Sequence, residues 1–190
     1  MSSSRDQSFW ESKYNEGSTG WDLSEVSTPL KEYIDQLDDL EKKVLVPGSG
    51  FGHEVKYLVS KGFENITVVD IAQQPIDKLK SENLNCELIC GDFFKHQGAY
   101  DLILEQTLFC AIPPSFRDAY VKKCADLLKQ GGIMAGVLFN FPLTEQGPPF
   151  GGDKEEYLDS FSSYFNIETL EKCTNSEPGR EELFIKFIKK

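Results

Sequence analysis

At 190 residues the chain has room for one domain with a full core and too little for two. With 39% hydrophobic and 27% charged residues, its composition is that of an ordinary globular protein rather than a disordered or fibrous one. Its formal charge of −11, 31 acidic against 20 basic side chains, argues against nucleic acid, whose binding needs a dense set of Lys and Arg to displace counterions.

No stretch approaches the ~20 apolar residues of a membrane helix, and the opening MSSSRDQSFW lacks the apolar run of a signal peptide. The five cysteines (86, 90, 110, 124 and 173) form no CxxC pair. With His53 and His96 as the histidines present, no zinc cluster or other metal site is expected. The expectation is a single domain over residues 1–190 with free thiols, working as a monomer in a reducing cytoplasm on a small-molecule partner, without nucleic acid or membrane.

In chain order, SFWESKYNEGSTGWDL carries Trp10, Tyr14 and Trp21 in a stretch with little core pattern of its own. Thr28-Pro29 begins a helix, Thr as N-cap and Pro at the first position, with Leu30, Tyr33, Ile34, Leu37 and Leu40 on one side. KKVLV (42–46) reads as the first strand. HEVKYLVSKG follows as a helix with Val55, Leu58 and Val59 inward and Gly62 as its C-terminal cap. ITVVD (66–70) is a second strand, and Pro75 opens a helix. CELICGD (86–92) and YDLILEQ (100–106) are the third and fourth strands.

From Ser115 to Gln130 a helix with Phe116, Tyr120, Cys124, Leu127 and Leu128 on its apolar stripe closes at Gly131-Gly132, and GIMAGVLF (132–139) is the fifth strand. A helix near 153–164 leads to FNIETLEKC and EELFIKFIKK, joined by TNSEPGR. That link is too short for a crossover, so the two strands pair antiparallel, and the last, apolar on both faces, lies inside the sheet. The predicted fold is α/β: five parallel strands plus a C-terminal antiparallel hairpin, a seven-stranded Rossmann-like sheet with helices on both faces.

Chemistry concentrates at the strand ends. VLVPGSGFGHEV (44–55) places Gly48, Gly50 and Gly52 at alternate positions; no Gly-Lys-Ser/Thr follows, and the spacing is not G-x-G-x-x-G. Asp70, twenty residues beyond Gly50, ends the second strand where a carboxylate can take both hydroxyls of a ribose. In CGDFF (90–94), Asp92 can accept from an adenine amino group and Phe93 can cover the ring. Glu105 and Gln106 end the fourth strand over the same crevice. Cys86, Cys90 and Cys124 read as core, and His53 and His96 as surface residues.

These blocks resemble the S-adenosylmethionine-dependent methyltransferases with a seven-stranded sheet, and LLKQGGIM (127–134) looks like the segment preceding their fifth strand. FWESKYNEGSTGWD, LVPGSGFGHEV, GDFF, FCAIPPSFRDAYVKKCADLLKQGG and GPPF, in that order, are similar to the thiopurine, thiol and halide methyltransferase family. The resemblance implies S-adenosylmethionine as cofactor and S-adenosylhomocysteine as product. It places Trp10, Tyr14, Gly48, Asp70, Asp92, Phe93 and Gln106 around the cofactor and Trp21 at its boundary with the acceptor, with residues 1–25 expected to close over it as an aromatic lid; Gly50 and Glu105 are expected to join them from the glycine loop and the strand end. Gln106 stands where thiopurine enzymes carry arginine, and TLFCAI looks closer to the halide and thiol branch.

The implied acceptor is a small soft nucleophile, a thiol, halide or thiocyanate, with an aromatic thiol as the alternative. Trp21, Phe109, Cys110, Arg117 and Phe150 are the expected pocket residues, with Arg117 either holding the AIPP loop or reaching an anion. In-line methyl transfer to such a nucleophile asks mainly for alignment, so no catalytic base is assigned. The rivals are a nicotinamide oxidoreductase and a non-catalytic nucleoside-binding protein.

Overall fold

The computed structural model describes residues 6–190. Two helices, α1 (Gln7–Asn15) and α2 (Thr28–Ile34), precede an alternating stretch of β1 (Val44–Pro47), α3 (His53–Ser60), β2 (Ile66–Asp70), α4 (Gln73–Ser81), β3 (Glu87–Cys90) and β4 (Tyr100–Gln106). Then come α5 (Arg117–Leu127), β5 (Leu128–Phe139), α6 (Lys154–Phe161), β6 (Phe165–Lys172) and β7 (Glu182–Lys189). The strands form one sheet in the order β3-β2-β1-β4-β5-β7-β6. The first five run parallel, and β7 pairs antiparallel with both β5 and β6, which puts it inside the sheet as its two apolar faces require.

Each face of the sheet is covered by its own helices. On one, Leu30 and Ile34 of α2, Val55 and Leu58 of α3 and Ile76 and Leu79 of α4 bury against Val44, Val68 and Leu102. On the other, Phe109, Tyr120, Tyr157, Phe161, Phe165 and Phe187 form an aromatic core under α5 and α6, with Phe161–Phe187 ring centroids 4.9 Å apart. Truncating Phe161 there would leave a cavity and cost about 3–5 kcal/mol.

The element boundaries differ from expectation in instructive places. Helix α5 stops at Leu127, and the chain turns straight into β5, so Gly131-Gly132 lies inside a strand rather than capping a helix. The β4–β5 register shifts there, between Tyr100 and Leu102, and Gly131 takes φ +71° to make the irregularity. Phe116 precedes α5 and is 40% exposed, off the apolar stripe. Helix α2 ends at Ile34, leaving Leu40 39% exposed, and its N-cap is Ser27. Pro75 is the third residue of α4, not its first. Because β3 is an edge strand, Cys90 is exposed and falls outside the core; Cys86 is half-buried and packs against the core's margin, and Cys124 is fully buried.

Among the described residues no helix is long and apolar enough to cross a membrane, and no cluster of His, Cys, Asp or Glu could hold a metal ion.

Candidate active site

The strand order reverses between β1 and β4: the chain first builds outward through β2 and β3, then returns to the other side of β1. Loops leaving the two strands diverge there and open a crevice at the carboxyl ends. A cleft of about 1190 Å³ occupies this position. Its walls include Trp10, Tyr14 and Trp21 from the N-terminal segment, Gly48 after β1, Asp70 ending β2, and Asp92 and Phe93 after β3. Leu108 and Cys110 after β4 and Phe139 ending β5 complete the inner wall.

The glycine loop is tight for internal reasons. Gly48 sits at φ +62°, and a Cβ there would come within 2.9 Å of Leu108 Cδ1. Gly50, at φ +53°, donates its amide to Asp70 Oδ2 at 3.1 Å. The other oxygen of Asp70 accepts from the Ala72 amide at 2.9 Å. Each carboxylate oxygen therefore keeps a lone pair for a ligand in the cleft. Burial pushes the Asp70 carboxyl up to about 6.

After β3, the Asp92 side chain accepts from the Phe94 amide at 2.9 Å, capping a single 3-10 turn at Phe93–Lys95, and Phe93 packs against Tyr120 while lining the cleft. The N-terminal aromatics interlock edge to face, Trp10–Trp21 at 5.6 Å, Tyr14–Trp21 at 5.5 Å and Tyr14–Phe51 at 5.5 Å. Three attachments hold them over the loop. Gln74 of α4 donates to Asn15 Oδ1 at 3.0 Å, His53 Nε2 lies 2.7 Å from Asp22 Oδ1, and an Arg180 nitrogen donates to the Trp21 carbonyl at 2.9 Å. His53 and His96 are half-buried and paired, His96 with the Tyr100 hydroxyl at 2.7 Å. Burial and the charge of Asp70 push the Tyr14 phenol up, so it stays neutral. Residues 1–5 of the expected lid lie outside the described residues.

Six expected site residues, Gly50, Glu105, Gln106, Phe109, Arg117 and Phe150, do not line the cleft. Neighbours on a strand point to opposite faces, so Glu105 and Gln106 cannot both look into one crevice. Glu105 turns into the α5 side and is fully buried, accepting from the Tyr120 hydroxyl and, at 2.8 Å, from the Phe109 amide; burial pushes it up to about 7. Gln106 turns the other way, accepts from the Ser27 hydroxyl at 3.3 Å and lines a smaller chamber behind the glycine loop, as Gly50 does. Phe109 belongs to the aromatic core rather than the pocket wall.

Arg117 is buried beneath the wall, pairing with Glu156, donating to the Gly151 carbonyl at 2.7 Å and lying 4.6 Å from the Phe109 ring centroid. Of the two expectations for Arg117, holding the loop is the one its position satisfies. Phe150 is likewise buried, its amide donating to the Cys110 carbonyl at 2.7 Å, and it is Pro148 and Pro149 before it that border the cleft. Cys110 does line it; burial, reinforced by Glu105, pushes its thiol far up, which makes it a neutral wall.

Arg180 was missed. It ends the TNSEPGR turn, lines the cleft 5.6 Å from the Phe139 ring centroid and is braced by Glu182 at 3.4 Å. Its signal was the hairpin itself. Because β7 runs antiparallel to β5, with Glu182 opposite Phe139, residues just before β7 must return to the crevice end of the sheet.

The residues fit a sulfonium nucleoside. A two-oxygen carboxylate suits a ribose diol, Asp92 and Phe93 suit an adenine, and aromatic rings near a cation attract it. A family profile described as Thiopurine S-methyltransferase matches residues 5–186. The chain belongs to the thiopurine S-methyltransferase family. Similar curated proteins are a probable thiol methyltransferase 2 of Arabidopsis thaliana (28% identical, covering 78% of this chain and 69% of that one) and a thiopurine S-methyltransferase of Vibrio parahaemolyticus (28%, covering 84% and 83%). Among solved structures, the 1,6-didemethyltoxoflavin-N1-methyltransferase of Burkholderia thailandensis, with its substrate and S-adenosylhomocysteine bound, shares the fold at TM-score 0.77 and 16% identity, covering 96% of this chain and 86% of that one.

This family member is an S-adenosylmethionine-dependent methyltransferase, with S-adenosylhomocysteine as product. The cofactor supplies an electrophilic methyl group on a sulfonium. In-line transfer asks a protein mainly to hold and align, and what lines this cleft is the Asp70 and Asp92 carboxylates, the N-terminal aromatics and an apolar wall of Leu108, Cys110 and Phe139.

Proposed function

We propose that the acceptor is a small soft nucleophile that reaches the cleft as an anion: a thiolate or hydrosulfide, with thiocyanate and halide in the same chemical class. The observation that carries this is the Arg180 guanidinium set into a wall of Leu108, Cys110, Phe139 and Pro148. One fixed cation beside an apolar surface attracts a small anion and strips its water. Among the described residues neither His nor Glu lines the cleft. That suits a nucleophile needing little help to ionise, since a free thiol has a pKa of about 8.5. In this reading Trp10, Tyr14, Trp21, Gly48, Asp70, Asp92 and Phe93 hold the cofactor; Trp21, Cys110 and Arg180 border the acceptor; and residues 6–25 form the lid. The protein works as a monomer in a reducing cytoplasm, which its five free cysteines suit.

A second reading, an aromatic thiol, draws on the outer wall, where Phe94 and Phe116 pair at 6.1 Å and both line the cleft. Methyl transfer from labelled S-adenosylmethionine to iodide, thiocyanate, hydrosulfide and thiophenol-type acceptors separates the two. Turnover on the small anions is expected. Turnover on thiophenols alone would replace the first reading with the second, and binding without any turnover would sink both in favour of a nucleoside-binding protein.

A further inference from the structure

β4 pairs with β5 as far as Gln106 opposite Val137, and the next residue, Thr107, takes φ +63°. A left-handed backbone at a β-branched residue is strained, and glycine would make the same turn freely. Among the described residues, the other non-glycine positions with positive φ are Ser24 and Asn83, both exposed and neither β-branched. Thr107 instead lines the cleft.

The bend is held from several directions. Leu108 packs against Gly48, its Cδ1 2.9 Å from where a Cβ on that glycine would stand. The Phe109 amide donates to the buried Glu105 carboxylate at 2.8 Å, and the Cys110 thiol donates to the Thr107 carbonyl at 3.1 Å. These contacts turn the chain directly into the short 3-10 turn of Phe109–Ala111 and bring Leu108 and Cys110 to the cleft wall.

The Thr107 hydroxyl takes no part in that bracing. Among the described residues it makes no hydrogen bond, and it is not sealed from solvent. Threonine therefore brings the fold neither an easy backbone nor a bonded side chain at this position. Strain that persists at a cleft points to use by a ligand. Thr107 also stands where the two sides of the cleft meet, with Leu108 on the glycine loop and Cys110 in the acceptor wall.

We propose that the Thr107 hydroxyl donates a hydrogen bond to the acceptor anion, which makes Thr107 a specificity-determining residue for methyl transfer. Arg180 draws the anion in by charge, and the hydroxyl adds one directed donor that fixes its approach. A compact sulfur anion accepts such a bond more strongly than the large, diffuse iodide ion, so Thr107 favours sulfur over halide.

This rests on the small-anion reading above, and the test keeps the two apart. Methyl transfer to hydrosulfide and to iodide would be followed for the unsubstituted chain, Thr107→Ser, Thr107→Val and Thr107→Gly. S-adenosylhomocysteine affinity by calorimetry and the thermal unfolding midpoint would be taken on the same samples. Thr107→Ser should keep turnover on hydrosulfide. Thr107→Val should lose about ten- to a hundredfold in kcat/KM on hydrosulfide and less on iodide, with S-adenosylhomocysteine affinity unchanged. Thr107→Gly should lose as much turnover yet unfold about 2–4 °C higher, because it relieves the backbone.

Unchanged turnover in Thr107→Val, or a loss in Thr107→Ser as large as in Thr107→Val, would overturn the proposal. So would a matching fall in S-adenosylhomocysteine affinity, which would make Thr107 part of the cofactor site. Transfer by the unsubstituted chain to neither anion would remove the small-anion reading and the proposal with it. Should Thr107→Val not fold, Thr107→Gly against Thr107→Ser is read in the same way.

Discussion

The two halves of the cleft are built differently. On the β2–β3 side, residues next to one another in sequence do the work: a strand ends, and Asp70 or Asp92 stands at its tip with backbone amides of its own loop as partners. On the β4–β5 side, nothing local suffices. The wall of Cys110, Phe139, Pro148 and Arg180 is assembled from three distant stretches, after β4, at the end of β5 with its following loop, and before β7, and is held from behind by Arg117, Glu105 and Tyr120. The first half is a set of short-range arrangements that any sheet of this order brings together. The second depends on the aromatic core beneath it.

The largest test of that contrast is Asp70→Ala. It should weaken S-adenosylhomocysteine about a hundredfold in calorimetry, because the diol loses a charged acceptor and the Gly50 and Ala72 amides lose theirs. The ionised form is the acceptor, so unsubstituted affinity should be full above pH 6 and fall as pH drops through about 6. An affinity flat from pH 5 to 7.5 would remove Asp70 from the site.

Glu105→Gln tests the support of the other half. With a folded value of about 7 against an ordinary 4.5, the buried carboxyl is stabilising when protonated. Its contribution is complete below pH 4.5 and lost as pH rises through 7, a swing of roughly 3 kcal/mol at most. Urea unfolding of the unsubstituted protein relative to Glu105→Gln should show that decline, and parallel curves would count against it.

Arg180→Gln should raise KM for anionic acceptors about tenfold and change cofactor affinity little, if the guanidinium acts on the acceptor. Equal loss of both would make it a brace for Trp21, whose carbonyl it also binds. Smallest is Arg117→Lys, which keeps the charge but cannot reach Glu156 and the Gly151 carbonyl together as a planar fork does. A severalfold rise in acceptor KM with unchanged cofactor affinity is expected from paired titrations. A cofactor defect instead would break the division into halves.

The same division separates what could be read in one dimension from what could not. The alternating strands and helices, the antiparallel hairpin and the positions of Asp70, Asp92 and the N-terminal aromatics were legible, because each follows from periodicity, turn chemistry or the motif order of a family. Glu105 was misplaced although β4 was bounded correctly: with both neighbours polar, strand alternation shows that one must turn away but not which. Phe109 was misplaced because a residue after a strand can enter the wall or the layer beneath it, and here Tyr120, Tyr157 and Phe161 had already built that layer.

By itself, then, the sequence determined the sheet, the glycine loop and the carboxylates at the strand tips, since those depend on contacts within a few residues and on a strand order that the connections enforce. Tertiary structure alone decided that Arg180 enters the cleft and that Glu105 is sealed beneath it. Each of those placements is set by segments far apart in the chain, whose packing and charge compensation no local pattern encodes.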